Sequence, residues 1–127
     1  MSAKPVQHCL RIYNDTAGET HFGDIEIELA EASYAPPAPP FWVAPGAKAQ
    51  SCIFTRLSVG WSSAWHPTPT RQYFIQTGGE LEVSVSDGAR RRLLPGQVVL
   101  VEDTHGKGHT TRVVGNADVT GLFVHLA

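Results

Sequence analysis

The sequence predicts an all-β domain folded as a sandwich or a barrel. Short runs rich in valine, isoleucine and aromatic residues recur along the chain, and turn residues such as Asp87 and Gly88 separate them. Counted this way, the chain holds about eight or nine strands at regular spacing, the pattern typical of such folds. No stretch as long as ~12 residues has the apolar periodicity of a helix.

Length and composition restrict the class of protein. The 127 residues suit one domain, 1–127, with a single core. The net charge of -2 and the lack of a basic stripe indicate no nucleic-acid partner. No apolar run approaches the ~20 residues of a membrane span, so we expect no membrane association. Cys9 and Cys52, with no secretory signal before them, predict free, buried thiols in a cytoplasmic protein.

The N-terminal 50 residues are expected to add edge strands to the fold. Residues 8–14 alternate well enough for a first strand, and residues 14–18 form a turn. In residues 24–29 the apolar side chains share one face and the acidic ones the other, which indicates a half-buried strand.

Five prolines between residues 35 and 46 exclude both a helix and a central strand there. This Pro-rich connection can be a polyproline ligand for an SH3-type partner. Alternatively, it is a rigid surface connection that carries Phe41 and Trp42 onto the barrel or onto a second subunit. The aromatic pair favours the surface connection.

The C-terminal part supplies most of the strands. Asp87-Gly88 between alternating runs is a strong hairpin signal. The run Arg90-Arg91-Arg92 that follows is interpreted as a solvated hairpin between two strands and not as a binding patch. The predicted strands cover residues 51–57, 73–79, 80–85, 98–101, 110–114 and 119–126.

Two histidine-containing blocks lie within residues 60–109. The first block begins at Gly60, contains His66 and ends at Gly79. The second block begins at Gly96 and ends with Gly106-Lys107-Gly108-His109. In both blocks the histidine lies in a loop or at the end of a strand.

With these motifs the chain resembles a single-domain cupin, a double-stranded β-helix or jelly-roll barrel of the RmlC-like type. The resemblance covers roughly residues 48 to 126. The chain departs from the family pattern at three positions: Thr68 replaces the second histidine, Gln72 the glutamate, and Thr104 a proline. Two extra residues also lie within the second motif. The resemblance implies one cupin domain, with the N-terminal strands and the Pro-rich connection in residues 8–59.

The resemblance also implies a site inside the barrel. Carried over residue by residue, it makes His66, Gln72 and His109 the ligands of a divalent metal, Zn, Fe or Mn, that is weakly bound or absent. His105 replaces the missing histidine only if the loop before His109 folds back. Because the two family positions converge, we expect His66 and His109 to lie about one ligand's width apart.

Four residues are candidates for binding the substrate. Alternation places Gln72 and Phe74 on the same face of their strand, which points into the barrel if that face is the inner one. Trp61 and Trp65 either form the wall of an aromatic pocket or cap the core. The other histidines, His8, His21 and His125, are interpreted as surface or structural residues.

Two functions follow from this site. The first is an enzyme, an isomerase, lyase or oxygenase, that acts on a small organic substrate with His66 and His109 as catalytic residues. The second is a non-catalytic ligand-binding or sensing cupin that has lost its metal site. The departures at Thr68 and Gln72 favour binding or metal-free chemistry over oxygenase chemistry. The resemblance further implies a homodimer, in which the segment of residues 36–42 is a candidate interface.

Overall fold

The computed structural model describes residues 4–127. In this part of the chain there are eleven strands and no helix. The strands are β1 (Val6–Asn14), β2 (Thr20–Glu28), β3 (Ala30–Ala32), β4 (Phe41–Val43), β5 (Ala49–Leu57), β6 (Gln72–Gly78), β7 (Glu80–Val85), β8 (Arg90–Leu93), β9 (Val98–Val101), β10 (His109–Val114) and β11 (Val119–Leu126).

The strands form two facing sheets and a separate hairpin. The larger sheet has six strands in the order β2-β1-β9-β6-β11-β5, and the smaller has three in the order β10-β7-β8. Strands β3 and β4 pair only with each other. One apolar core lies between the two sheets and includes Ile12, Phe74 and Val99 from the larger and Leu81, Val83 and Val113 from the smaller. The prediction of an all-β jelly-roll fold is confirmed.

Alternation of side chains explains which faces are buried. In β6 the residues Gln72, Phe74 and Gln76 are buried while those between them are half-buried. Phe74 packs on Phe123 with ring centroids 4.9 Å apart. Gly121 leaves room for the Phe74 ring, since a Cβ at Gly121 would lie 2.7 Å from that ring. Burying a phenylalanine side chain stabilises a fold by about 1.5–3 kcal/mol.

The arginine run lies in a hairpin with its three side chains exposed, as interpreted, but it forms a strand and not the connection between two strands. Residues 90–93 are a strand, β8, which pairs antiparallel with β7 after the Asp87-Gly88 turn. Arg92 stands opposite Glu82 and forms an ion pair with it, while Leu93 enters the core. The backbone pairing of the hairpin and the burial of Leu93 therefore decide the conformation, despite three adjacent charges.

The two cysteines are free, as predicted, but only one is buried. Cys9 lies on the inner strand β1, and burial raises the pKa of its thiol. Cys52 is exposed, because β5 is the edge strand of the larger sheet and most of its residues are uncovered. Among residues 4–127, no helix is long and apolar enough to span a bilayer.

Candidate functional site

A cavity of about 350 Å³ lies between the two sheets. Its wall is mainly apolar, with Ile12, Val99 and Val101 from the larger sheet and Leu81, Val83 and Leu93 from the smaller. The side chains that bring polar atoms to the wall are Trp61, His66, Thr68, Gln72, His109, Thr111 and His125. A largely apolar cavity with a few placed polar groups is the usual form of a small-molecule site.

His66 and His109 lie side by side in this wall. Their backbones form an antiparallel β-bridge, in which each N–H donates to the other's carbonyl at 3.1 and 3.0 Å. Residues paired in this way project their side chains to the same side. The two imidazole rings are accordingly in contact, with centroids 4.8 Å apart.

The bridge forms because the segment before β6 runs alongside β10. Val113 donates its N–H to the carbonyl of Trp61, and Ser63 donates its N–H to that of Thr111, both at 2.9 Å. From Ser63 to His66 the segment uses three residues where β10 uses two. This extra residue makes a bulge, which restores the inward direction of His66.

Gly108 permits the two backbones to approach. Its φ is +75°, and a Cβ at this position would overlap the backbone carbonyl of His66. A side chain there would therefore be strained and would push the two segments apart. The glycine before His109 is thus part of the site.

Asp103 lies behind His109 and is fully buried. Its Oδ2 is 2.6 Å from Nδ1 of His109. Its Oδ1 has no hydrogen-bonding partner within residues 4–127. The Asp103 carbonyl also accepts a hydrogen bond from the N–H of Thr68 at 3.0 Å, which fixes this turn to the segment that carries His66. A buried carboxylate is stabilised by a charge-assisted hydrogen bond, so Asp103 holds the His109 ring in one orientation.

These bonds define which ring nitrogens are available. Nδ1 of His66 lies 2.8 Å from the carbonyl of Ala64, and since a carbonyl only accepts, this nitrogen carries the proton. The same reasoning applies to Nδ1 of His109 against the Asp103 carboxylate. In the neutral form of both rings, Nε2 therefore carries the lone pair, and both residues line the cavity.

The amide of Gln72 is fixed by a short chain of hydrogen bonds. Its Nε2 donates to Oγ1 of Thr68 at 3.1 Å, and that hydroxyl donates to the carbonyl of Thr70 at 2.7 Å. Because the Thr68 proton is used in this way, the nitrogen of the amide must face Thr68. The amide oxygen is the atom that Gln72 offers to the cavity.

Five of the six predicted site residues line the cavity: Trp61, His66, Gln72, Phe74 and His109. Trp65 does not lie among the lining residues, and 52% of it is exposed. The bulge between Ser63 and His66 contains Trp65, and this accounts for its outward position. His105 is exposed and is also outside the lining residues.

The sequence interpretation missed Asp103, Thr111 and His125 as members of the site or its support. Period-two alternation in β9 places Val99 and Val101 inward. Continued by two more residues, the same alternation predicts that Asp103 also points inward. The same step places His125 after Phe123 in β11 and Thr111 after His109 in β10. His125 lines the cavity, and its Nδ1 is 3.0 Å from Oγ of Ser51. The signal was therefore present.

Glu102 precedes Asp103 but belongs to an ion pair outside the cavity. Its carboxylate accepts hydrogen bonds from Nε of Arg11 at 2.6 Å and from Nε of Arg71 at 2.5 Å. Burial raises the pKa of Glu102, but the bonds from Arg71 and Arg11 outweigh this effect, so the pKa is lower than usual. The acid thus ties β1 to the start of β6.

The donor atoms fit a divalent metal poorly. His66, Gln72 and His109 offer two imidazole nitrogens and one neutral amide oxygen, and none of the described lining residues is a carboxylate. Within residues 4–127, no three or more His, Cys, Asp or Glu residues are grouped to hold a metal ion. A site without a carboxylate leaves the charge of the metal uncompensated.

Comparison with known proteins identifies the fold. No protein-family profile matches the chain, and no curated protein does. Among solved structures, the cupin domain of Cnp3 from Schizosaccharomyces pombe aligns over 98% of this chain and 86% of its own, with 13% identity and a TM-score of 0.53. Two further similar structures are protein NMB1881 of Neisseria meningitidis and SPY1581, a protein of unknown function from Streptococcus pyogenes. The first has 17% identity and a TM-score of 0.45, covering 60% of this chain and 72% of that one.

SPY1581 of Streptococcus pyogenes has 22% identity to this chain and a TM-score of 0.46, and the alignment covers 63% of this chain and 68% of SPY1581. At these identities the comparisons concern the fold alone, and the Cnp3 domain aligns over nearly the whole chain. Its similarity agrees with the two facing sheets and with the spacing of the motifs around His66 and His109. The chain has the cupin fold.

Proposed function

We propose that the chain binds a small organic molecule in the cavity and transfers a proton on it, as an isomerase or a lyase does. The observation that carries this proposal is the His66–His109 pair, whose rings meet with Nε2 of each available at an apolar cavity. Imidazole is suited to proton transfer near neutral pH. An apolar wall also limits access of water to the reacting atoms.

Each polar residue has a distinct role in this proposal. His109 is the base, because the Asp103 carboxylate both fixes its ring and stabilises the positive charge that develops when Nε2 takes a proton. His66, beside His109, accepts a hydrogen bond from the substrate through Nε2. The amide oxygen of Gln72 orients the substrate. In an isomerisation, the proton that His109 removes from one carbon returns to the product at a neighbouring carbon, so no co-reactant is needed.

The proposal is tested by solvent deuterium exchange. The protein is incubated in D₂O with a metabolite extract, and mass spectrometry identifies compounds that gain deuterium. We expect exchange in a small set of compounds with the wild type and a loss of about 100-fold or more with His109→Gln, because a positioned acid or base contributes on the order of 10²–10⁴ in rate. His105→Gln is the matched control, since His105 is exposed and outside the cavity. Exchange that is unchanged in His109→Gln would refute the proposed role.

Asp103→Asn provides a second variant for the same assay. We expect it to keep the fold, because the two side chains have nearly the same shape, and to reduce exchange at least about tenfold through loss of the carboxylate. A variant with full exchange would remove Asp103 from the proposed mechanism and leave His109 as an unassisted base.

The alternative is a ligand-binding or sensing cupin without catalysis. It is favoured by the positions of Thr68 and Gln72, whose hydroxyl and amide nitrogen are already used in hydrogen bonds to the chain. In the exchange assay this function predicts a ligand that co-purifies with the protein and gains no deuterium. The assay therefore separates the two functions.

We further propose that the chain acts as a cytoplasmic homodimer. The two free cysteines support a reducing compartment. Exposed aromatic side chains on the β3–β4 hairpin, Phe41 and Trp42 among them, support pairing with a second copy.

A further inference from the structure

We propose that the ligand of the cavity is a neutral molecule with an apolar body and a hydroxyl group, and that this hydroxyl binds between His66 and His109. The inference rests on the proposed small-molecule function and specifies the chemical class that the cavity selects. It follows from the polarity of the wall, its charge and its size.

The polar atoms around the histidine pair are mainly acceptors. Nδ1 of each ring donates to the protein, to the Ala64 carbonyl in one case and to the Asp103 carboxylate in the other. The two Nε2 atoms therefore accept, as does the amide oxygen of Gln72, whose nitrogen is bonded to Thr68. A ligand must bring a donor to satisfy these atoms, because an unsatisfied buried acceptor costs free energy.

One donor of the wall lies beside His109. Thr111 follows His109 by two residues in β10, so both side chains project from the same face, and both line the cavity. The Thr111 hydroxyl can donate to a ligand atom that itself donates to an imidazole. A hydroxyl group matches this arrangement because it donates one hydrogen bond and accepts another.

The charge of the wall disfavours ionic ligands. None of the described lining residues is Lys or Arg, so a carboxylate or phosphate would find no fixed cation and would meet the lone pairs of the histidines. None is Asp or Glu either, and the Asp103 carboxylate lies behind His109 and is already bonded to it. An ammonium ion would lose its hydration without a carboxylate in contact.

The volume suits a body of about two fused rings. An apolar cavity of roughly 150 Å³ in another protein holds benzene. The cavity here is about 350 Å³, and Trp61, one of its lining residues, is 39% exposed. A bicyclic compound therefore fits without unfolding the wall.

A matched set of three naphthalenes tests the inference. The probes are 2-naphthol, 2-methoxynaphthalene and 2-naphthoate, which share the same apolar body and carry a hydroxyl, a methyl ether and a carboxylate. Binding is measured by calorimetry at a mildly alkaline pH, with the naphthol un-ionised. We expect 2-naphthol to bind about three- to tenfold more tightly than the ether, the effect of one hydrogen bond, and the carboxylate to bind more weakly than both.

Histidine ¹⁵N NMR adds a readout that does not depend on variants. In the free protein, we expect Nδ1 to carry the proton in both His66 and His109, and we expect 2-naphthol to shift their Nε2 resonances more than the ether does. A protonated Nε2 in either neutral ring would overturn the inference. The variants His66→Phe and His109→Phe should each reduce the preference for naphthol over the ether, whereas His105→Phe should leave it unchanged.

The outcomes separate this inference from the proposed function. Equal binding of naphthol and ether, or tighter binding of naphthoate, would overturn the inference while supporting a small-molecule cavity. If none of the three probes binds, the inference is contradicted, while the deuterium-exchange assay still decides the proposed function. Preference for naphthol with matching Nε2 shifts would support the inference, and exchange that is unchanged in His109→Gln would then contradict the proposed function alone.

Discussion

Gly108 precedes His109 and lies against the backbone of His66. Replacing it with a larger residue has two separate costs, one from the positive φ and one from the contact of the added Cβ with the His66 backbone. A second glycine of the chain allows the two costs to be measured apart. Gly115 also has a positive φ, of +83°, but nothing lies within 4 Å of where its Cβ would be. Gly115→Ala is therefore a control for the backbone conformation alone.

We expect Gly108→Ala to lower the free energy of unfolding by about 2–5 kcal/mol, the sum of a left-handed residue and an overpacked contact. Gly115→Ala should cost only about 1–2 kcal/mol. Urea denaturation measures both. The Gly108→Ala variant should also lose the contact between the two imidazole rings, observed as the absence of nuclear Overhauser effects between them. Equal losses of stability in the two variants would show that the bridge does not depend on Gly108.

The metal site predicted at His66, Gln72 and His109 remains a prediction, and it depends on these three side chains. With only neutral donors, we expect protein purified without chelator to hold less than one equivalent of divalent metal, and His109→Ala to hold none. Elemental analysis after desalting measures both, and His105→Ala is the control. Equal metal content in the wild type and His109→Ala would place the metal elsewhere.

Among the elements, two turns are connected by His21. This residue is the second of β2, and its ring lies 2.8 Å from Asp15 in the β1–β2 turn and 2.8 Å from Asp87 in the β7–β8 turn. Hydrogen bonds to Asp15 and Asp87 raise the pKa of His21. The same bond from His21 lowers the pKa of Asp15, while the N–H of Ala89 and then His21 lower that of Asp87. The imidazolium thus connects the two sheets through their turns.

This connection predicts a pH window of stability. Because the pKa of His21 is raised in the folded state, its contribution is complete below the ordinary value of 6.5 and is lost as pH rises through the folded pKa. The contributions of Asp15 and Asp87 are present above their ordinary value of 3.8 and are lost as pH falls through their lowered pKa values. The connection is therefore strongest between these limits.

Comparison of the wild type with His21→Asn checks the window. We expect the variant to be less stable than the wild type at about pH 6 and the difference to shrink toward about pH 9, because the wild-type ring loses its proton as pH rises through its raised folded pKa. Urea denaturation at both pH values measures the difference, and His105→Asn, which is exposed and lies outside both turns, serves as the control. A difference that grows with pH would contradict the sign of the argument.

At the same scale, the strands with clean alternation could be predicted from the sequence and the loop that completes the site could not. The runs of β6 and β7 place Gln72 and Leu81 inward by period two alone. The position of Trp65 depends on a bulge, and the bulge depends on hydrogen bonds to β10, far along the chain. Such long-range pairing leaves no local pattern, so Trp65 was expected to be equivalent to Trp61.

For the molecule as a whole, the sequence motifs predicted the position of the site better than they predicted the polar groups that act in it. The resemblance to the cupin family implied that His66 and His109 meet, because the two family positions that they occupy converge. Asp103 was missed, since an acid next to Glu102 reads as part of a solvated loop until the buried contact with His109 is known. The type of a buried polar group is readable from sequence, but its partner is set by tertiary packing.

The exposed aromatic residues of the β3–β4 hairpin concern the whole molecule because they favour a second copy. Tyr34 is 72% exposed, and its ring contacts Phe41 with centroids 5.3 Å apart, beside the exposed Trp42. Apolar side chains grouped on a surface are typical of an interface. We expect light scattering at micromolar concentration to give twice the chain mass of 13.8 kDa.

The double variant Phe41→Ser and Trp42→Ser should then scatter as a single chain, because the interface loses its two largest apolar contacts. Phe54→Ser is the matched control, since Phe54 is 84% exposed but lies on the edge strand β5, away from the hairpin in the sequence. A monomeric wild type would contradict the homodimer. A dimer that survives the hairpin variant and is lost in Phe54→Ser would instead place the interface at β5, where an unpaired strand edge can join the edge of a second copy.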